Sequence, residues 1–131
     1  MKLLLDTHIW LWSALQSERL SRRVAKELTN SENQLWLSAI SVWELTILYR
    51  KRQFRLTEDL GTWVAKSMQD LELIEAPLTA EVALVVPLMK FAHEDPADQL
   101  LAASAKVFDL TFVTADDRLM QVPGIQVLPN R

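Results

Sequence analysis

Residues Asp95–Asp116 read DPADQLLAASAKVFDLTFVTAD. The Asp95-Pro96 pair marks a helix start. Aspartate accepts amide hydrogen bonds as an N-cap, and proline suits the first helical position, where its missing N–H is not needed. The alanine- and leucine-rich body predicts a helix through Val107. Leu110–Thr114 then reads as a short buried strand, with Asp116 just beyond it. A helix feeding a strand is the unit from which parallel sheets are built.

The same unit recurs outward from this stretch. Leu3–Leu5 is a short apolar run ending at Asp6, and residues from about Ile9 to Leu15 are apolar at helical length. Ser21 can cap a helix ending near Asn30, and Gln34–Leu37 reads as a second strand. A helix is expected from about Ser41 to Gln53. Another follows a Thr57 cap, with Glu58 and Asp59 in its first turn. Leu71–Ala76 predicts a third strand, closed by Pro77. Thr79 to about Val86 reads as a helix that Pro87 should end or kink. Asp116–Met120 predicts a short helix and Gln126–Leu128 a fifth strand. This order implies an α/β fold with three layers, α/β/α, around a central, mostly parallel four- to five-stranded sheet. With 131 residues and no visible repeat or linker, residues 1–131 are expected to form one domain.

Composition narrows the function. The 50% hydrophobic and 24% charged content excludes a disordered tail. The absence of cysteine excludes disulfides, thiolate zinc sites and cysteine nucleophiles. With only Gly61 and Gly124, no P-loop or dinucleotide fingerprint can be written. The net charge of −3 argues against a nonspecific basic surface, so a polyanionic substrate must be met by local charge or by a bound cation. No apolar run reaches membrane-spanning length, and the N-terminal run meets Asp6 too soon for a signal peptide, so a cytoplasmic protein with no membrane association is expected.

Four acids stand at corresponding places: Asp6 after the first strand, Glu44 early in the third helix, Asp98 early in the Asp95 helix, and Asp116 after the fourth strand. Singly, each has a structural explanation. Asp6 and Asp116 can cap helices, Ser41–Glu44 fits a capping box, and Asp98 suits the third helical position. Together they imply more, because strand C-termini and following helix N-termini share one edge of a parallel sheet. Two bare charges ~4 Å apart repel by about 4 kcal/mol at an effective dielectric near 20. Four converging carboxylates therefore need protons or a divalent cation, and all-oxygen ligands suit Mg²⁺ or Mn²⁺. Thr7, Ser41 and Thr114 lie beside these acids and could orient carboxylates or waters.

These residues fall in four blocks: Leu3-Leu4-Leu5-Asp6-Thr7-His8, Ser38-Ala39-Ile40-Ser41-Val42-Trp43-Glu44, Asp95-Pro96-Ala97-Asp98-Gln99-Leu100-Leu101-Ala102-Ala103 and Val113-Thr114-Ala115-Asp116. In sequence and order they resemble the PIN-domain family, and most closely the VapC-type toxins of prokaryotic toxin–antitoxin pairs. The resemblance implies a metal-dependent endoribonuclease with Asp6, Glu44, Asp98 and Asp116 in catalysis. It also implies a homodimer and a cognate antitoxin that blocks the cleft. Thr114 would support Asp116, and Ser41 would support Glu44. The reaction expected is hydrolysis by a metal-activated water, with Asp6, Asp98 and Asp116 as chief metal ligands and a 5′-phosphate product. Two departures remove cations near the site: Gln99 stands where many relatives place arginine, and Leu48 where they often carry lysine. They motivate an alternative, a catalytically weakened scaffold that acts through protein binding.

Other residues carry weaker signals. His8 and His93 lack a metal-binding spacing and are expected to be structural or near the substrate. Arg50, Lys51, Arg52 and Arg55 could track RNA phosphates or meet a partner, or simply complement a helix C-terminus. The tryptophans are expected in the core or a dimer interface, with partial exposure expected first at Trp10 and Trp12, since residues two apart on a helix cannot face one direction. A haloacid-dehalogenase-like phosphatase would need a second acid where His8 stands.

Overall fold

A computed structural model describes residues 1–131. Five strands, β1 (Lys2–Leu5), β2 (Gln34–Ser38), β3 (Ile74–Ala76), β4 (Thr111–Thr114) and β5 (Gln126–Pro129), form one sheet in the order β3-β2-β1-β4-β5. Every neighbouring pair is parallel. The sheet therefore matches the expected architecture, with no antiparallel edge.

Leu3, Leu4 and Leu5 are all fully buried, as a central parallel strand requires when both of its faces are covered. Their side chains alternate. Leu3 and Leu5 join a core cluster with Ile9, Trp10, Val24 and Leu45, whereas Leu4 packs with Ala97, Leu101, Ala105 and Leu119. The first group comes from helices α1 (Thr7–Leu15), α2 (Arg22–Thr29) and α3 (Ala39–Arg50), with α4 (Leu60–Asp70) packed alongside through Trp63 and Met68. The second comes from α6 (Pro96–Val107) and α7 (Asp117–Met120), following the short α5 (Ala80–Val85).

Several boundaries differ from the sequence reading, each for a local reason. Helix α3 starts earlier because Ser38, at the end of β2, is its cap: the Ser38 hydroxyl accepts from Ile40 N at 3.0 Å. Ser41 thus lies inside the first turn, and no Ser41–Glu44 capping box forms. The helix ends at Arg50 because Arg52 turns the chain with a φ of 56°. Asp59, not Thr57, caps α4 by accepting from Thr62 N at 3.0 Å, while Glu58 pairs with Lys66. Pro87 ends α5 as expected and sits in a 3₁₀ turn over Val86–Leu88.

Trp10 corrects another expectation. It is fully buried, its indole N–H donating to Ser67 Oγ at 2.8 Å. Residues two apart on a helix do face different ways, and here Trp12 is the partly exposed member. The most exposed tryptophan is Trp43, at 55%.

Candidate active site

The register of the two central strands builds the site. Leu5 lies opposite Val113, so the next residues, Asp6 and Thr114, become neighbours at the C-terminal edge of the sheet. Asp6 N donates to Val113 O at 2.9 Å, which fixes the residue in place. Its carboxylate caps α1 by accepting from Thr7 N at 2.8 Å, and its other oxygen accepts from the Thr114 hydroxyl at 2.6 Å. Thr114 Oγ1 in turn accepts from Asp116 N at 3.0 Å.

Glu44 enters from α3. Thr7 Oγ1 lies 2.6 Å from Glu44 Oε1 and 2.9 Å from Ser41 Oγ. One hydroxyl has one proton to give. With Glu44 ionised, Thr7 donates to the carboxylate and can accept from Ser41. Asp98 lies in the first turn of α6, whose N-cap is Asp95. His93 Nε2 stands 2.9 Å from Asp98 Oδ2. Asp116 caps α7, and the Arg118 side chain grips both of its oxygens, Nε at 3.2 Å from Oδ1 and Nη2 at 2.9 Å from Oδ2.

All four acids singled out in the sequence border one cleft of about 710 Å³, together with Asp95, Asp117, His8, Trp12, Arg19 and Arg118. The caps read for Asp6 and Asp116 are real, and they coexist with the convergence. The hydroxyls have different partners from those expected. Thr114 donates to Asp6 and holds Asp116 only by its backbone amide. Thr7 rather than Ser41 touches Glu44. Gln99 donates to His93 O at 3.1 Å, fastening the loop that brings His93 to Asp98.

The basic run is divided and stays outside this cleft. Arg50, Arg52 and Arg55 line a separate hollow with Tyr49 and Phe54, while Lys51 borders a hollow shared with Trp43, Glu44 and Leu48. The sequence reading missed Arg19 and Arg118. Arg118 lies two residues after an N-cap and was findable from sequence. Arg19, its guanidinium 4.2 Å from the Trp12 ring centroid, reaches the cleft only through tertiary packing.

Burial dominates the electrostatics. It pushes the Asp6 carboxyl up to about 7, against the opposing hydrogen bond from Thr114 and aided by the charges of Asp98 and Glu44. Burial likewise raises Glu44 and Asp98, opposed by the hydrogen bonds from Thr7 and His93 respectively. Asp116 goes the other way: the Arg118 hydrogen bonds hold its carboxyl below the usual range. Three crowded, partly desolvated acids are therefore a donor set that a hard cation would favour in its ionised form. One ligand atom from each of His93, Asp98 and Asp116 lies within 4.8 Å of the others. This differs from the expected trio by including a histidine, with Asp6 bordering the same cleft.

An all-parallel α/β/α sheet with carboxylates gathered beyond its central strands defines a class of acid-site α/β domain. The PIN domain model matches residues 3–125, and the chain belongs to that family. It is 28% identical over 117 residues to Ribonuclease VapC22 of Mycobacterium tuberculosis, covering 88% of each protein. The fold is similar to that of a chain in VapBC2 from Rickettsia felis bound to promoter DNA (TM-score 0.75, 18% identity, 98% of each chain). It is also similar to a chain in DNA-bound VapBC from Salmonella typhimurium (TM-score 0.71, 19% identity, 100% of this chain and 99% of that one).

Proposed function

We propose that this chain is a Mg²⁺- or Mn²⁺-dependent endoribonuclease and the toxin of a toxin–antitoxin pair. One observation carries the reading: four carboxylates from distant parts of the sequence meet in one cleft, and burial raises three of them above their ordinary pKa. Family membership and the ribonuclease relative support it.

Asp6, Asp98 and Asp116 would hold the cation, with His93 beside them. A bound divalent ion supplies an acidified water and offsets charge on a phosphodiester. The chain's own residues orient the reaction. Thr114 aims Asp6, Thr7 aims Glu44, and Glu44 holds water beside the scissile phosphate. Hydrolysis leaves a 5′-phosphate. The alternative, a weakened scaffold, rests on Gln99 and Leu48. Against it, Gln99 has work in holding the His93 loop, and all four acids are retained.

A cognate antitoxin and a homodimer are the proposed protein partners, and exposed Trp43, Leu84 and Leu88 offer them apolar surface. Arg50, Lys51, Arg52 and Arg55 are proposed to meet RNA or a partner outside the acidic cleft. We assign the whole of residues 1–131 to one PIN domain acting in the cytoplasm. No helix is long and apolar enough to cross a membrane.

The test compares the wild type with Asp98→Asn on tRNA, with Mg²⁺, with Mn²⁺ and with chelator. Metal-dependent cleavage by the wild type alone, giving 5′-phosphate ends, is the expected result. Cyclic 2′,3′-phosphate ends, or equal cleavage by both proteins, would reject it.

A further inference from the structure

The cleft has a charge problem that the four acids do not solve. Six carboxylates border it, those of Asp6, Glu44, Asp95, Asp98, Asp116 and Asp117, against the two guanidinium groups of Arg19 and Arg118. An RNA phosphate must enter this negative field. Arg19 is committed to the wall by stacking over Trp12. Arg118 is differently placed. Its side chain is 57% exposed at the start of a four-residue helix, yet its fork closes on Asp116 through Nε and Nη2.

That fork occupies both oxygens of an acid that also belongs to the candidate ligand cluster with His93 and Asp98. A divalent cation at Asp116 must share those oxygens with a neighbouring positive charge, which it repels. A guanidinium offers five donors in a plane and fits phosphate as well as carboxylate. An exposed arginine also loses little by changing partners, because solvent-exposed ion pairs contribute weakly.

Resting on the ribonuclease reading, we propose that Arg118 competes with the divalent cation for Asp116 and, once displaced, binds a substrate phosphate. Arg118 is then both a brake on metal binding and a substrate-binding residue. It supplies a cation to a site where Gln99 and Leu48 bring none. The two roles have opposite signatures, so one substitution should strengthen one ligand and weaken the other.

The experiment measures Mn²⁺ affinity by calorimetry for the wild type, Arg118→Ala and Arg118→Lys. It also measures binding of a short phosphorothioate RNA by anisotropy over a range of salt. Arg118→Ala is expected to bind Mn²⁺ roughly two- to fivefold more tightly, the size of a weak exposed ion pair. It should bind RNA more weakly, with the log–log salt slope shallower by about 0.7, the loss of one single-strand phosphate contact. Arg118→Lys keeps the charge without the fork. It should gain less Mn²⁺ affinity than Arg118→Ala while retaining most of the salt slope, which separates a lost contact from misfolding. Unchanged or weaker Mn²⁺ binding by Arg118→Ala overturns the competition, and an unchanged salt slope overturns the phosphate contact. A wild type that binds Mn²⁺ but cleaves no RNA would defeat the ribonuclease reading and the substrate role, whatever Arg118→Ala did to metal affinity.

Discussion

Asp6 and Glu44 face the cleft with neutral hydroxyls as their side-chain donors, from Thr114 and Thr7; Asp98 and Asp116 face it with His93 and Arg118 attached. The first pair is oriented but not neutralised. Burial pushes Asp6 up to about 7 and raises Asp98 as well, while the Arg118 hydrogen bonds hold Asp116 below its usual range. One half of the cleft is poised to gain from an added cation. The other half already contains protein groups that a cation must displace or join.

The largest effect should come from removing a carboxylate in either half. Asp6→Asn and Asp98→Asn are each expected to lose more RNA cleavage than the roughly 10–100-fold typical of a residue that merely supports a ligand. Retained cleavage by Asp6→Asn would show that the buried half does not take part. The two variants should differ in stability. A neutral amide at position 6 relieves desolvation, whereas the same change at position 98 weakens the acceptor of His93.

The pH dependence sharpens this contrast. The folded-state pKa of Asp6 is raised from 3.8 to about 7, so the folded chain keeps a proton that the unfolded chain releases. Stability in chelator should therefore fall as pH rises from about 4 to about 7, then level off. The loss attributable to Asp6 is on the order of a few kcal/mol. Glu44 and Asp98, also raised, act in the same direction. Urea unfolding across this range should show a shallower decline for Asp6→Asn than for the wild type. Parallel curves would mean that burial does not perturb Asp6 as described. Added Mn²⁺ should restore stability most at the alkaline end, where the carboxylates are ionised.

How far the sequence revealed this site depends on which neighbours are local. The acids were legible because each follows a strand or opens a helix, and a parallel sheet sends those positions to one edge. Helix α6 was legible through Asp95-Pro96. The hydroxyl partners are not legible in the same way, because proximity along the chain is not proximity in space. Thr114 is two residues from Asp116, yet the Leu5–Val113 register places it against Asp6. Ser41 is one turn from Glu44, but the start of α1 inserts Thr7 between them in the hydrogen-bond chain. His93 was visible as a residue but not as a partner of Asp98, since an irregular loop brings it there. The cap of α3 moved from Ser41 to Ser38 because two serines at the strand–helix junction could each serve, and only the geometry of the junction selects one.

The smallest predicted difference concerns the supports themselves. Thr114→Val keeps shape but removes a hydroxyl that donates to buried Asp6 and accepts from Asp116 N. It should cost about 1–3 kcal/mol, because buried polar groups lose their partner. Thr114→Ser should recover most of that. His93→Phe also removes one hydrogen bond, the one Asp98 accepts from the ring, but the loss is partly offset. His93 Nδ1 is buried with no partner, so the phenyl ring deletes an unsatisfied atom along with the bonded one. Its cost should be smaller than that of Thr114→Val, because the stranded acceptor belongs to Asp98, which is partly exposed, and an unsatisfied buried atom is removed with the bond. Urea midpoints in chelator would compare the two directly. An equal cost at both positions would mean that the two halves of the cleft are supported alike, and that the hydroxyl beside buried Asp6 matters no more than the ring nitrogen beside the less buried Asp98.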